Sequence, residues 1–304
     1  MNSRSNNYKK GIRSALTAGL LWGILPIYWK MLKPIDSFVI IFYRIVLVAV
    51  VCLIAARMKY STAEIFADMK DRKQVIRYIF AGILITANWS TYIWAVNADY
   101  VIQTCIGYYI EPLMVCCFGI LLFKEKLTRY KVTALLFALA GVLCVIIYYK
   151  EVPFIAIGLA LTFSMYAAIK KDFNKPPVIS LLYETIFLAP FALAVVIYLE
   201  VTGQGALVQG EPYQYGLLLL CGLFTAVPLA FFADADNKLD LFALGLSEYF
   251  SPTITLILGI FVFREPFEKV ELIAFIIIWT GLVFFSCGEY REFKSAKEEL
   301  NDPD

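Results

Sequence analysis

Arg44, Glu111, Glu184 and Glu248 stand inside long apolar stretches of this sequence. A charge at the centre of a membrane-spanning helix costs about 2.5–3.5 kcal/mol on insertion scales, so each needs a partner or a task. Arg44, within Phe42-Tyr43-Arg44-Ile45, cannot shed its charge. It calls for a buried carboxylate that fixes two helices, or for an anionic ligand. Glu184, within Leu182-Tyr183-Glu184-Thr185, can take up and release a proton, which makes it the leading candidate for proton coupling. Glu111 directly precedes Pro112, and Glu248 lies one helical turn before Pro252. A proline removes a backbone hydrogen bond and bends its helix. Inside a bilayer the freed carbonyl is tolerable only against protein or a wet cavity. Pro26, Pro112, Pro228 and Pro252, with Pro190, are therefore read as bends that shape a cavity.

Asn88, Trp89, Tyr108, Tyr109 and Tyr249 fall on the same segments as these charges and are expected to wall that cavity. Together with Arg44, Glu111, Glu184 and Glu248 they form the candidate substrate-binding set. An aromatic, weakly polar site suits an amphipathic organic solute better than an inorganic ion. Tyr28 and Trp29 are assigned to the ordinary interfacial belt.

Other chemistries are excluded by residue type. The chain has no histidine, which removes His-based triads, HExxH zinc sites and imidazole proton relays. Its seven cysteines all fall in apolar spans without a C-x-x-C pair and read as packing residues. The run Asp234-Ala235-Asp236-Asn237-Lys238-Leu239-Asp240 has leucine where a calcium loop needs glycine, so no metal is expected, and no cofactor motif is read.

The elements that must position these groups are helices in a membrane. The composition is 61% hydrophobic and 17% charged, with a mean hydropathy of +0.72. A bilayer core of ~30 Å needs ~20 helical residues. Ten spans are predicted, near 12–31, 37–56, 76–97, 100–123, 131–149, 153–171, 178–199, 214–236, 240–263 and 268–288. The first span is too long for a signal peptide and lacks a small-residue cleavage site. With both termini cytoplasmic, 21 of the 27 lysines and arginines fall in inside segments, which fixes the expected orientation. No compact basic surface is left over, so a nucleic-acid partner is excluded. The partners expected are the lipid bilayer, a small-molecule substrate and protons; no oligomeric state is assigned.

The second half repeats the first at an offset of 140 residues. Gly82, Asn97, Tyr109, Pro112, Gly119, Glu125, Ala134 and Gly141 pair with Gly222, Asn237, Tyr249, Pro252, Gly259, Glu265, Ala274 and Gly281. Each half is long enough for five spans. An odd-span unit must insert its copy upside down, and inverted repeats are characteristic of secondary transporters. The predicted fold is all-α, two inverted five-helix repeats over 12–149 and 153–288, followed by a charged cytoplasmic tail over 289–304. A channel-like or scaffold protein is the alternative, and a membrane enzyme a weaker one, since no nucleophile–base pair is present.

The motifs themselves resemble the RarD-type branch of the EamA transporters, in the drug/metabolite transporter superfamily. The resemblance rests on Trp22-Gly23, Arg44, Asn88-Trp89, Trp94-Ala95-Val96-Asn97, Gly107-Tyr108 and Pro112 in the first half. Glu184-Thr185, Thr225-Ala226-Val227-Pro228, Tyr249 and Pro252 continue it in the second. It implies ten spans, two EamA repeats, a plasma-membrane location and export of a small metabolite or drug. Glu111, Glu248, Asp234 and Asp236 depart from the polar uncharged residues the family pattern would place there, and make this site more acidic.

Overall fold

The computed structural model describes residues 2–97, 101–125, 127–150, 154–171, 173, 175–258, 261–262 and 268–301. These residues are helical throughout, with short turns. The first half comprises α1 (Asn2–Met31), α2 (Ser37–Lys59), the short α3 (Thr62–Ile65), α4 (Arg72–Asn97), α5 (Val101–Phe123) and α6 (Arg129–Tyr149). The second comprises α7 (Phe154–Lys171), α8 (Pro177–Ile186), α9 (Ala189–Val201), the short α10 (Ala206–Gln209), α11 (Pro212–Leu219), α12 (Cys221–Asp236), α13 (Leu241–Glu248), α14 (Phe250–Leu258) and α15 (Lys269–Asn301).

Local chemistry sets the helix starts. The Asp36 carboxylate accepts from the Phe38 N–H at 2.7 Å to open α2, and Asp240 accepts from Ala243 at 2.6 Å to open α13. Pro177 begins α8, where its missing N–H costs nothing. The outer faces are as apolar as the core. On α6, Val132, Leu136, Leu139, Leu143 and Ile147 are exposed in one stripe, while Ala134, Ala138, Gly141, Val142 and Val145 are buried on the other. Such an exposed stripe has no place in water and suits lipid contact.

Among the described residues four helical stretches are long and apolar enough to cross a membrane: Ser37–Lys59, Arg129–Tyr149, Phe154–Lys171 and Pro212–Asp236. A fifth is the pair α8 and α9, bent by 57° just ahead of Pro190. The prolines act unequally. Pro26, Pro112 and Pro228 lie inside α1, α5 and α12 without interrupting them. In the ninth predicted span the break comes at Tyr249, three residues before Pro252, because Pro252 cannot donate to the carbonyl of Glu248. At its other end α15 runs unbroken from Lys269 to Asn301, so the charged stretch after residue 288 continues the helix.

The two halves pack against each other reciprocally. Glycine makes the key crossings possible: a β-carbon at Gly82 would clash with the carbonyl of Glu184, and one at Gly222 with the backbone of Leu47. Likewise Gly141 lies against Ile278 and the Ala274 carbonyl, and its counterpart Gly281 against Phe137 and the Ala134 carbonyl. Equivalent helices run antiparallel. Along α2, Tyr43 bonds Glu200, Ile41 and Ile45 cluster with Ala192, and Val48 and Cys52 cluster with Leu181 and Leu182. Partner numbers fall as α2 numbers rise. The same descent joins Tyr130 to Gly288, Phe137 to Gly281 and Tyr148 to Glu268 between α6 and α15.

Candidate functional site

Arg44 sits two turns into α2 and is 9% exposed. Its guanidinium carbon lies 3.7 Å from the centre of the Trp89 ring, on α4, and 5.2 Å from that of Trp29, on α1. Such stacking offsets part of the cost of burying the charge. Tyr28, Tyr108 and Cys221 stand near enough to act on it electrostatically. Among the described residues no carboxylate pairs with Arg44, and its Nε has no hydrogen-bond partner. A buried N–H donor left unmade costs free energy that an anionic acceptor would recover. Of the two roles the sequence allows for Arg44, the geometry leaves the ligand-binding one open and shows no buried pair.

Glu184 lies elsewhere. It is 1% exposed on α8 and accepts from Lys170 Nζ, from the Tyr166 hydroxyl at 2.9 Å and from the Ser180 hydroxyl at 2.7 Å. Lys170, 2% exposed, also donates to the Ser180 hydroxyl at 3.1 Å. Glu184 therefore does not face Arg44 across a shared cavity; its place along α2 is that of Cys52, about 12 Å beyond Arg44 at 1.5 Å per residue. The reason is the antiparallel relation of α2 and α8. A position seven residues from the start of each helix falls at opposite ends of the crossing.

The remaining expected residues divide further. Asn88 donates from Nδ2 to the Leu159 carbonyl at 2.8 Å and the Thr162 hydroxyl at 3.0 Å, so it ties α4 to α7. Tyr108 is partly exposed, with its ring edge-on to Tyr92 at 5.5 Å. Tyr249 is fully buried. The side chain of Tyr109 lies outside the described residues. Glu111 and Glu248 form a third group: Glu111, half-buried on α5, directly precedes Pro112, whose carbonyl faces Gly245 of α13, and Glu248 ends α13. Neither Glu248 oxygen has a hydrogen-bond partner.

Sequence reasoning missed two contributors, Lys170 and Trp29, and named a third, Asp236, without its surroundings. Lys170 reads as a loop charge because it ends α7, yet Tyr166 and Lys170, like Ser180 and Glu184, are spaced i, i+4 on helices joined by a short turn. Trp29 reads as an interfacial residue, yet it covers Arg44. Asp236 is fully buried at the end of α12, 3.9 Å from Lys171. Around it a polar network closes this end of the bundle. Lys171 donates to the Asp236 and Leu239 carbonyls, and Lys131 pairs with Asp240 at 3.5 Å. Glu125 accepts from the N–H groups of Leu241 at 2.6 Å and Phe242 at 2.8 Å, capping α13. Burial pushes the Glu125 carboxyl above its ordinary range, against the pull of those two donors.

Two surface crevices accompany these groups. One of about 290 Å³ lies between α2, α8 and α12 with Lys59 and Asp234 at its rim; the other, about 610 Å³, is lined by α4, α5 and α7. Neither is lined by Arg44, Glu111 or Glu248. Among the described residues no group of three or more acidic or cysteine side chains is arranged to hold a metal.

Comparison with known proteins gives these groups a family context. The EamA-like transporter family pattern matches residues 9–147 and again 152–287. The chain is 35% identical to the uncharacterized transporter YojE of Bacillus subtilis, over 95% of this chain and 97% of that one. It is 30% identical to protein RarD of Streptomyces exfoliatus, over 97% and 94%, and 28% identical to protein RarD of Escherichia coli, over 91% and 94%. A protein of known crystal structure, 17% identical, aligns over 91% of this chain and 97% of its own with a TM-score of 0.68, which shows a shared fold. Two family matches end to end, on two halves that pack reciprocally, leave one conclusion: this multi-pass membrane protein belongs to the EamA-like transporter family.

Proposed function

We propose that this chain is a secondary transporter that exports a small organic metabolite or drug carrying an anionic group. The observation that carries this reading is Arg44: a buried, permanently charged guanidinium between two tryptophans, with an unused Nε and no carboxylate paired to it among the described residues. A carboxylate supplies planar acceptors of matching geometry, and an aromatic or aliphatic body would rest on Trp29, Trp89 and Tyr108. The names of the relatives support a carrier rather than an enzyme.

Alternating access then follows from the repeats. Ten spans, grouped as two inverted five-helix units, would rock about the crossings where Gly82 meets α8 and Gly222 meets α2. The antiparallel pairing of α2 with α8 and α9, and of α6 with α15, supports the inversion. The lysine and arginine bias supports both termini on the cytoplasmic side of the plasma membrane. A proton moving inward on a buried carboxyl would drive export.

Metabolites inside cells and in their medium, compared with and without the protein, test the reading. Accumulation of one carboxylate-bearing solute in the medium, matched by its depletion inside, is the expected result. Identical profiles would remove the export function.

A further inference from the structure

Glu248 ends α13 at the break before α14, 9% exposed, with both carboxylate oxygens buried and without a hydrogen-bond donor. It lies three residues after Gly245, on the same face. That face is pressed on α5: a β-carbon at Gly245 would stand 2.8 Å from the Pro112 carbonyl. Glu111 is the residue before Pro112, so the two glutamates flank one contact between the halves. Pro112 cannot donate to the carbonyl of Tyr108, nor Pro252 to that of Glu248, and positions 108 and 248 are repeat equivalents. The contact thus gathers carboxyl and carbonyl oxygens with few donors. A helix C-terminus such as that of α13 favours positive charge.

The titratable surroundings are sparse. On α5 they are Glu111 and the Cys116 thiol, which donates to the Phe242 carbonyl at 3.4 Å; on α12, Asp236. On α7, Tyr166 and Lys170 are engaged by Glu184, and Lys171 by the end of α12. α1 has no titratable side chain between Arg13 and Tyr28, and α14 has none.

We infer that Glu248 and Glu111 together form a proton-binding site at the contact between the two halves, and that this site supplies the coupling ion. The step is the formation of one O–H bond on a carboxylate from a proton of the aqueous phase on one side, and its loss to water on the other. Because the site straddles α5 and α13, separation of the two halves would expose it alternately, which links its occupancy to the transport cycle. This inference rests on the carrier reading above and replaces Glu184, held by Lys170, as the coupling carboxyl.

The test needs no transported solute. Proteoliposomes of the full chain on a solid-supported membrane are subjected to a pH jump, and the charge displaced is recorded. Wild type is expected to give a transient that sodium jumps at constant pH do not give. Glu248→Gln should abolish it and Glu111→Gln should reduce it at least twofold, each in monodisperse protein, while Glu248→Asp retains it. Lys170→Met with Glu184→Gln should leave it intact. A full transient in both single glutamine variants, or one evoked by sodium instead, would overturn the site. An intact proton transient in a protein that moves no solute would uphold the site and remove the carrier reading alone.

Discussion

The Lys170–Glu184 pair allows a quantitative test of the packing. Lys170 is 2% exposed and Glu184 1%, so neither charge has water to fall back on. Replacing Lys170 with methionine keeps the side-chain volume and removes the ammonium. Breaking one partner of a buried pair costs about 3–5 kcal/mol, because the other charge is left uncompensated. Tyr166 at 2.9 Å and Ser180 at 2.7 Å still donate to Glu184, which places the loss near the lower end, at about 3 kcal/mol. For larger domains each kcal/mol moves the midpoint by about 2 °C or more, so Lys170→Met should lower the half-unfolding temperature in detergent by about 6 °C. Scans at one fixed rate are needed, since such unfolding is commonly irreversible. Combining it with Glu184→Gln removes both charges and should recover most of the loss, the signature of direct coupling. A change below about 2 °C in Lys170→Met, or a double variant that loses the sum of the singles, would refute the pairing.

Three other outcomes are expected. Gly82→Ala and Gly222→Ala should abolish monodisperse protein in size-exclusion chromatography, since each β-carbon meets backbone, whereas Gly158→Ala and Gly216→Ala, which meet nothing within 4 Å, should be tolerated. Arg44→Lys should weaken binding of carboxylate solutes about tenfold or more, read by tryptophan quenching, because an ammonium cannot reproduce the planar stack on Trp89. The Glu125 carboxyl is raised in the folded state above its ordinary 4.5, so the folded protein binds the proton more tightly. Its contribution to stability is fully present below that value and is lost as pH rises from there through the raised folded value; Glu125→Gln should remove that share of the decline in pH-dependent melting.

Much of this architecture is legible in the sequence, and the parts that are not have physical causes. The 140-residue offset exposes Gly82 with Gly222 and Gly141 with Gly281, and these glycines make the crossings between halves. Arg44 is conspicuous as a permanent charge in an apolar run, and Trp89 does meet it. What the offset does not convey is proximity: in an inverted relation, equivalent residues near one end of their helices lie at opposite ends of the crossing. Arg44 and Glu184 are therefore apart although they are equivalent. Lys170 is not legible as a partner of Glu184 because a lysine at a helix end snorkels as readily as it turns inward, and only the partner on α8 decides. Glu111 and Glu248 are not repeat equivalents, and their place on either side of one contact depends on the packing of α5 against α13.

The central claim, that Arg44 receives an anionic group of the transported solute, is tested most directly by uptake of carboxylate-bearing metabolites into proteoliposomes of purified wild type and Arg44→Ala. One charge-assisted hydrogen bond is worth about 1.5–3 kcal/mol, so the concentration for half-maximal transport should rise about ten- to a hundredfold in Arg44→Ala, while an uncharged ester of the same solute is moved equally by both proteins. Equal transport of the carboxylate by both proteins, at equal half-saturation, would contradict the account.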